Sequence, residues 1–329
     1  MSEFFLELFS EEIPSSLQKN LRENLLDSFT KLFNEKFISH KKSSSYSTPN
    51  RLIIVFEGIQ KQVVLRSEET KGPNINAPEV ALEGFMRSNN ISKKDLFKKI
   101  TDKGEFYFFK TKSKKLNVHD LLEEFVPLVL QKIQWKKSMK WGEFDLNWGR
   151  PLKSILALFD KKKLTFDFHH LSSSNSTFID KEFEEQKKIF NDFKEYINFF
   201  KKMNIIIDQK QRKDLIEKKL NEISNKKNIK IENNSKLLDE VVDLTDQPNV
   251  IICEFDRKFL NIPKEILIIT MQYHQKYFPT FDKKGNITNE FLVVTNKQDK
   301  KGFIKLGNER VVEARLSDAE FFWEKDKSQ

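Results

Sequence analysis

Glu3-Phe4-Phe5-Leu6-Glu7-Leu8-Phe9-Ser10-Glu11-Glu12-Ile13-Pro14 opens the chain, and its two halves read differently. Glu3 to Phe9 alternates as a strand does, with every second side chain on one face. Pro14 follows where proline is tolerated best, in the first turn of a helix, because its missing N–H would be unpaired there anyway. A strand running directly into a helix is expected. Ile13, Leu17, Leu21, Leu25, Phe29, Phe33 and Phe37 then recur at every fourth residue. At about 100° per residue such a stripe drifts by roughly 40° per step, so the helix must curve around its partner or break near Phe33.

Beyond it, Lys41 to Ser47 reads as a polar, serine-rich loop. Leu52 to Phe56 and Val63 to Leu65 are rich in branched residues and flank Gly58, which predicts a hairpin. Ala77 to Asn89 reads as a helix and Phe106 to Lys112 as a strand. Val118 to Ile133 has the three-and-four spacing of an amphipathic helix, with Pro127 expected to kink it. Trp135 to Pro151 is aromatic and turn-rich, and Asp160-Lys161-Lys162-Lys163 separates Ile155–Phe159 from Leu164–Phe168 as a second hairpin. Ser172 to Ser174 marks a loop, and Phe183 to Asn234 reads as mostly helical, with a short strand at Ile205–Ile207. A helix over Leu237–Leu244 and strands at Val250–Phe255 and Phe291–Thr295 complete the pattern.

No repeating βαβ order emerges, so the expected fold class is α+β and multi-domain, with short mixed or antiparallel sheets and packed amphipathic helices. Four regions follow from the composition shifts: an N-terminal α+β region at 1–135, an aromatic and basic segment with a hairpin at 136–178, a charged helical region at 179–236, and a C-terminal α+β region at 237–329.

The 58 lysines and arginines exceed the 49 aspartates and glutamates, leaving a formal charge of +9. That balance favours a polyanionic partner, although a lysine-rich composition also arises with no partner at all. Thirty-one phenylalanines provide ample apolar surface for a core. The single cysteine, Cys253, excludes an intrachain disulfide; it sits in an apolar run and reads as a core residue. No stretch approaches the roughly 18 apolar residues of a membrane span, and no secretory leader is apparent, so the expected location is the cytoplasm, with no membrane partner.

Catalytic signatures are missing. The nine glycines form neither a P-loop nor a dinucleotide fingerprint, so no backbone cradle for phosphate is expected. His40, His119, His169, His170 and His274 show no ligand spacing, and no metal or cofactor is expected on this chain. No serine is placed as a nucleophile elbow. Cations do interleave with rings, at Met139-Lys140-Trp141 with Trp148-Gly149-Arg150-Pro151 and again at Tyr273-His274-Gln275-Lys276-Tyr277-Phe278. Rings stack on unpaired bases while cations meet phosphates, which suits RNA; equally, such rings serve as core residues with cations lying over them. Lys140, Arg150, His274, Lys276, Arg310 and Arg315 are the candidate RNA contacts, and no residue is a candidate for catalysis.

These same stretches carry a resemblance. Leu6-Glu7-Leu8-Phe9-Ser10-Glu11-Glu12-Ile13-Pro14, Thr48-Pro49-Asn50-Arg51-Leu52, Lys71-Gly72-Pro73, Ser138-Met139-Lys140-Trp141-Gly142, Gln275-Lys276-Tyr277-Phe278-Pro279 and the run from Gly307 to Phe322 occur in the order seen in bacterial glycyl-tRNA synthetase beta subunits, which the chain resembles. The resemblance implies a tetramer of two alpha and two beta subunits that joins glycine to tRNA(Gly). ATP and magnesium would be used by the class II active site on alpha, and beta would contribute tRNA binding. Two local departures stand out: Asn50 where relatives commonly have a second arginine, and Ser174-Asn175-Ser176-Thr177-Phe178 where many have Arg-Gly-His-Arg-Phe. Family members also continue past the equivalent of Gln329 into an HD-type domain and an anticodon-binding domain, so anticodon recognition is expected to lie outside this chain. Two other readings stay open: a stand-alone RNA-binding or scaffold module, and a hydrolytic editing site, for which no residue offers a nucleophile or base.

Overall fold

The computed structural model describes residues 2–65, 67–111, 113–179, 186–232 and 234–328. In chain order, β1 (Ser2–Ser10) leads into α1 (Ser15–Glu35), β2 (Lys42–Thr48), β3 (Arg51–Ile59), β4 (Gln62–Leu65) and β5 (Glu69–Asn74). Next come α2 (Glu79–Asn89), β6 (Leu96–Thr101), β7 (Gly104–Lys110), β8 (Lys114–Asn117) and α3 (Val118–Gln131). The middle of the chain holds β9 (Leu152–Phe159), β10 (Lys162–Lys163), β11 (Asp167–Phe168), β12 (Leu171–Ser174), β13 (Ser176–Phe178) and β14 (Lys187–Ile189). After α4 (Phe193–Lys202), α5 (Gln209–Lys227), β15 (Lys230–Ile231) and α6 (Ser235–Leu244) come β16 (Asn249–Glu254), α7 (Lys264–Ile269), β17 (Phe278–Phe281), β18 (Ile287–Thr295) and α8 (Phe303–Lys327). A π-turn at Thr270–His274 extends α7.

β1 is apolar on both faces and therefore sits in the middle of a sheet covered on both sides. The order is β11-β12-β9-β1-β3-β2, with β10 folded back on β9, so strands of the 1–135 and 136–178 regions share one sheet. Phe4, Leu6 and Leu8 point one way with Leu52, Ile54, Phe56, Ile155 and Ala157, and pack on Leu25, Phe29 and Phe33 of α1 and Leu122, Val126 and Leu130 of α3. Phe5 points the other way with Ile53, Val55, Leu156 and Leu158, against Tyr196 and Phe200 of α4. A second antiparallel sheet, β15-β17-β18-β16, is also sandwiched. Leu292 and Phe278 meet Ile216, Leu237 and Val241 of α5 and α6, while Phe291, Val293 and Cys253 meet Met271, Val312 and Leu316. A smaller three-stranded sheet, β5-β7-β6, has α2 on one face through Phe85 and Phe109, whose rings lie 5.8 Å apart. This is a multi-domain α+β fold, and no helix among the described residues is long and apolar enough to cross a membrane.

Several local expectations need correcting. α1 ends at Glu35, close to where the drifting stripe leads it to break: Leu32 joins the buried set, and Phe37, beyond the helix end, adopts φ 56° and is 71% exposed. Lys42–Thr48 and Leu171–Ser174 are strands rather than loops, because serine and threonine suit a polar strand whose partner supplies the ladder. β3 forms no hairpin with β4: both its edges are occupied by β1 and β2, so β4 pairs with β8. The second hairpin is real but shorter. Asp160 and Lys161 turn at φ 50° and 66° to bring Lys162–Lys163 onto β9, whereas Asp167–Phe168 pairs with β12. Ile205–Ile207 is not a strand; its apolar side chains are pulled into the core while its carbonyls are taken by an arginine. The stretch from Phe183 to 185 lies outside the described residues, and Lys187–Ile189 is strand, not helix.

That arginine, Arg212, joins the two sandwiches. It is wholly buried and donates to the carbonyls of Val242, Ile206, Ile207 and Ser47, so α5, α6, the 205–207 segment and β2 meet on one guanidinium. Burial pulls its pKa down to about 10, which leaves it charged at neutral pH. Gln18 of α1 adds a donor to the carbonyl of Asp243 at 2.6 Å.

Candidate nucleic-acid interface

The aromatic segment before β9 is held by the core. Met139 and Trp148 pair as an isolated antiparallel bridge, Trp148 is buried, and Trp135 lies 5.0 Å from it, ring to ring. Gly149 is required here, since a Cβ at that position would stand 1.8 Å from the Trp135 ring. His169 and His170 lie at the turn between β11 and β12, not along a strand; His170 stacks on Phe144 at 3.7 Å. The rings are thus mostly engaged with protein. Of the cations they accompany, Lys140 is exposed and 3.6 Å from Asp145, and Arg150 donates to the carbonyls of Glu12 and Gly149.

The remaining four candidates lie on the second sandwich. His274 closes the π-turn and, with Arg315, Asp318 and Phe322 of α8, lines a hollow of about 410 Å³. Lys276 is tied to Glu240 at 3.0 Å. Arg310 and Arg315 are exposed, and no described carboxylate lies within ion-pair distance of either; nearby Glu309 is engaged by Lys305 and the Glu254 amide. The structure therefore brings His274 and Arg315 together, leaves Arg310 on α8 with no described carboxylate in ion-pair range, and keeps Lys140 and Arg150 on the first sandwich.

Four polar side chains meet inside the first sandwich, of which Glu7 and Tyr196 were not site candidates from the sequence. Glu7 lies at the centre of β1, fully buried, and accepts hydrogen bonds from Thr177 and Tyr196, with Arg51 Nε at 3.5 Å. Arg51 also donates to the carbonyls of Phe178 and Ile179 and lies over the rings of Phe9 and Phe200. Burial pushes the Glu7 carboxyl up, against the pull of Arg51, Thr177 and Tyr196. A lone carboxylate inside an apolar run was the available signal. The network is enclosed and holds β1, β3, β13 and α4 together, so Arg51 and Thr177 are engaged inside the fold. A second cluster, His119, Asp120 and Glu123, has donor atoms within 4.8 Å of one another, a spacing the sequence scan passed over. It occupies the first turns of α3, where the helix dipole opposes a cation, and Glu123 already accepts the Thr165 amide. Cys253 is buried with its thiol pushed up to about 12, as befits an inert core residue.

Fold and surface thus define a multi-domain α+β protein with a buried Glu7–Arg51 network and exposed arginines along its last helix. Residues 4–329 match the family model described as glycyl-tRNA synthetase beta subunit. The chain is 38% identical over 327 residues to the glycine–tRNA ligase beta subunit of Rickettsia akari, covering 99% of this chain and 49% of that protein. Against the same subunit of Rickettsia felis the identity is 38% over 329 residues, with the same coverage. The chain belongs to the glycyl-tRNA synthetase beta subunit family, a family of aminoacyl-tRNA synthetase subunits, and spans about half the length of the curated relatives it matches.

Proposed function

We propose that this chain works in the cytoplasm as part of the beta subunit of a tetrameric glycine–tRNA ligase, associating with a catalytic alpha subunit and holding tRNA(Gly) while alpha glycylates it with ATP and magnesium. The observation that carries this reading is the family match over residues 4–329. The formal charge of +9 and the uncompensated Arg310 and Arg315 agree with it, because phosphate contacts need cations that are not already paired. Beta would contribute by positioning: binding energy collected away from the reacting centre lowers the entropic cost of bringing the tRNA end to the active site.

Co-purification with an alpha subunit and retention of tRNA at low salt test this. Both are expected, with RNA affinity falling steeply between about 50 and 200 mM salt. Binding of neither overturns the proposal. Retention of tRNA without any alpha association supports the stand-alone RNA-binding module instead.

A further inference from the structure

A cleft of about 610 Å³ opens at the junction of the two sandwiches, between α1, α5 and α6. Its cations are Lys19 and Arg22 from α1, Lys210 and Lys213 from α5, and Lys236 from α6; its carboxylates are Asp239, Glu240 and Asp243. Pairing inside the cleft decides which charges are left. Arg22 stands 3.6 Å from Asp243, with side chains only 12% and 11% exposed, and Lys213 reaches Asp239 at 2.8 Å. Glu240 is countered by Lys276 at 3.0 Å. All three carboxylates are therefore engaged, whereas no described carboxylate lies within ion-pair distance of Lys19, Lys210 or Lys236, and all three lysines are exposed.

We propose that this cleft binds the phosphodiester backbone of an RNA strand, with Lys19, Lys210 and Lys236 as the phosphate contacts. The inference deepens the tRNA reading above and rests on it. Three ammonium groups on three helices, remote in sequence, give a spread of point charges that follows a charged strand. Arg22 and Lys213 fix the walls through their own carboxylates. Ser15 and Ser16 line the same cleft at the start of α1, where Pro14 supplies no side-chain cap for the first-turn amides. Lys276 adjoins the rim through Glu240 and links the cleft to the surface of His274 and Arg315.

The test compares three full-length proteins in tRNA-binding titrations across a salt series. They are the wild type, Lys19→Ala/Lys210→Ala/Lys236→Ala, and a charge-matched control, Lys31→Ala/Lys163→Ala/Lys264→Ala, at exposed positions elsewhere. Because no described carboxylate pairs with the three cleft lysines, the thermal midpoint should match the control and exclude misfolding. The cleft variant should lose on the order of tenfold in affinity at about 50 mM salt, and its slope of log K against log salt should become shallower by about 2 to 3. A cleft variant indistinguishable from the control, with wild-type binding intact, overturns the proposal and leaves the tRNA reading standing. A wild type that binds no tRNA overturns this inference together with the tRNA-holding part of the reading above, whose alpha association is tested separately. Displacement of the tRNA by millimolar inorganic phosphate at constant ionic strength would assign the cleft to a small phosphate ligand and overturn the strand.

Discussion

In the seven-stranded sheet Phe4, Phe5, Phe9 and Phe56 are wholly enclosed, while in the three-stranded sheet Phe97 is 36% exposed and Phe106 lies under the Lys71 ammonium at 3.5 Å. The residue type is the same; the number of covered faces differs. β1 has helices on both sides, and its fully buried charge, Glu7, is held in the network with Arg51. The small sheet has α2 on one face, and on the other Lys71 and Lys99 lie over Phe106 and Phe108. Lysine stems and cation–π contacts there replace a second layer. Stability should therefore be concentrated in the two-sided sheet.

The largest effect expected is at Arg51. Arg51→Ala leaves Glu7 buried without its countercharge and should cost about 3–5 kcal/mol in urea unfolding; a cost near zero would break the contrast. Phe29→Ala, beneath the same sheet, should cost about 3–5 kcal/mol, against about 0.5 kcal/mol for Phe97→Ala on the open face. Equal losses would mean that the small sheet is as tightly built as the large one. Gly149→Ala should cost about 1–3 kcal/mol by forcing the added methyl into the Trp135 ring, and its fluorescence should report the shifted tryptophan.

The smallest effect is a pH dependence. Burial raises the Glu7 carboxyl, so between its unfolded and folded values the native state holds the extra proton. Stability from this group is greatest below that window and falls as pH rises through it. Relative to Glu7→Gln, which cannot titrate, the wild type should lose ground as pH is raised; a gap independent of pH would remove Glu7 as the titrating group.

Long periodic elements were legible: the stripe of Leu21, Leu25 and Phe29 lies where its spacing puts it, whereas of the stripe Leu121, Leu122, Phe125, Val129 and Ile133 only Leu122 is fully buried, the others packing half-buried beside Val118, Val126 and Leu130. Serine was the residue that misled. Ser43, Ser44 and Ser45 read as a loop, yet they form an edge strand, because the ladder is supplied by β3 and one rim faces outward. Strand partners were equally hidden, since β4 is kept from β3 only by the prior claims of β1 and β2. Sequence reading nominated His274 from its ring-and-cation cluster and Arg315 from the family-like run, but not Lys19, Lys210 and Lys236. Those three meet only because α1, α5 and α6 pack together, which local spacing does not encode.

The junction built on Arg212 has a practical corollary for recoding the protein. Every hydrogen bond of that guanidinium goes to a main-chain oxygen, at Ser47, Ile206, Ile207 and Val242. A main-chain oxygen is present whatever side chain the position carries, so the clamp itself sets no side-chain requirement at those four sites. The chemical specificity of the clamp rests on one codon, and lysine cannot stand in there, because a single ammonium on a flexible stem lacks the planar fork that reaches several acceptors at once.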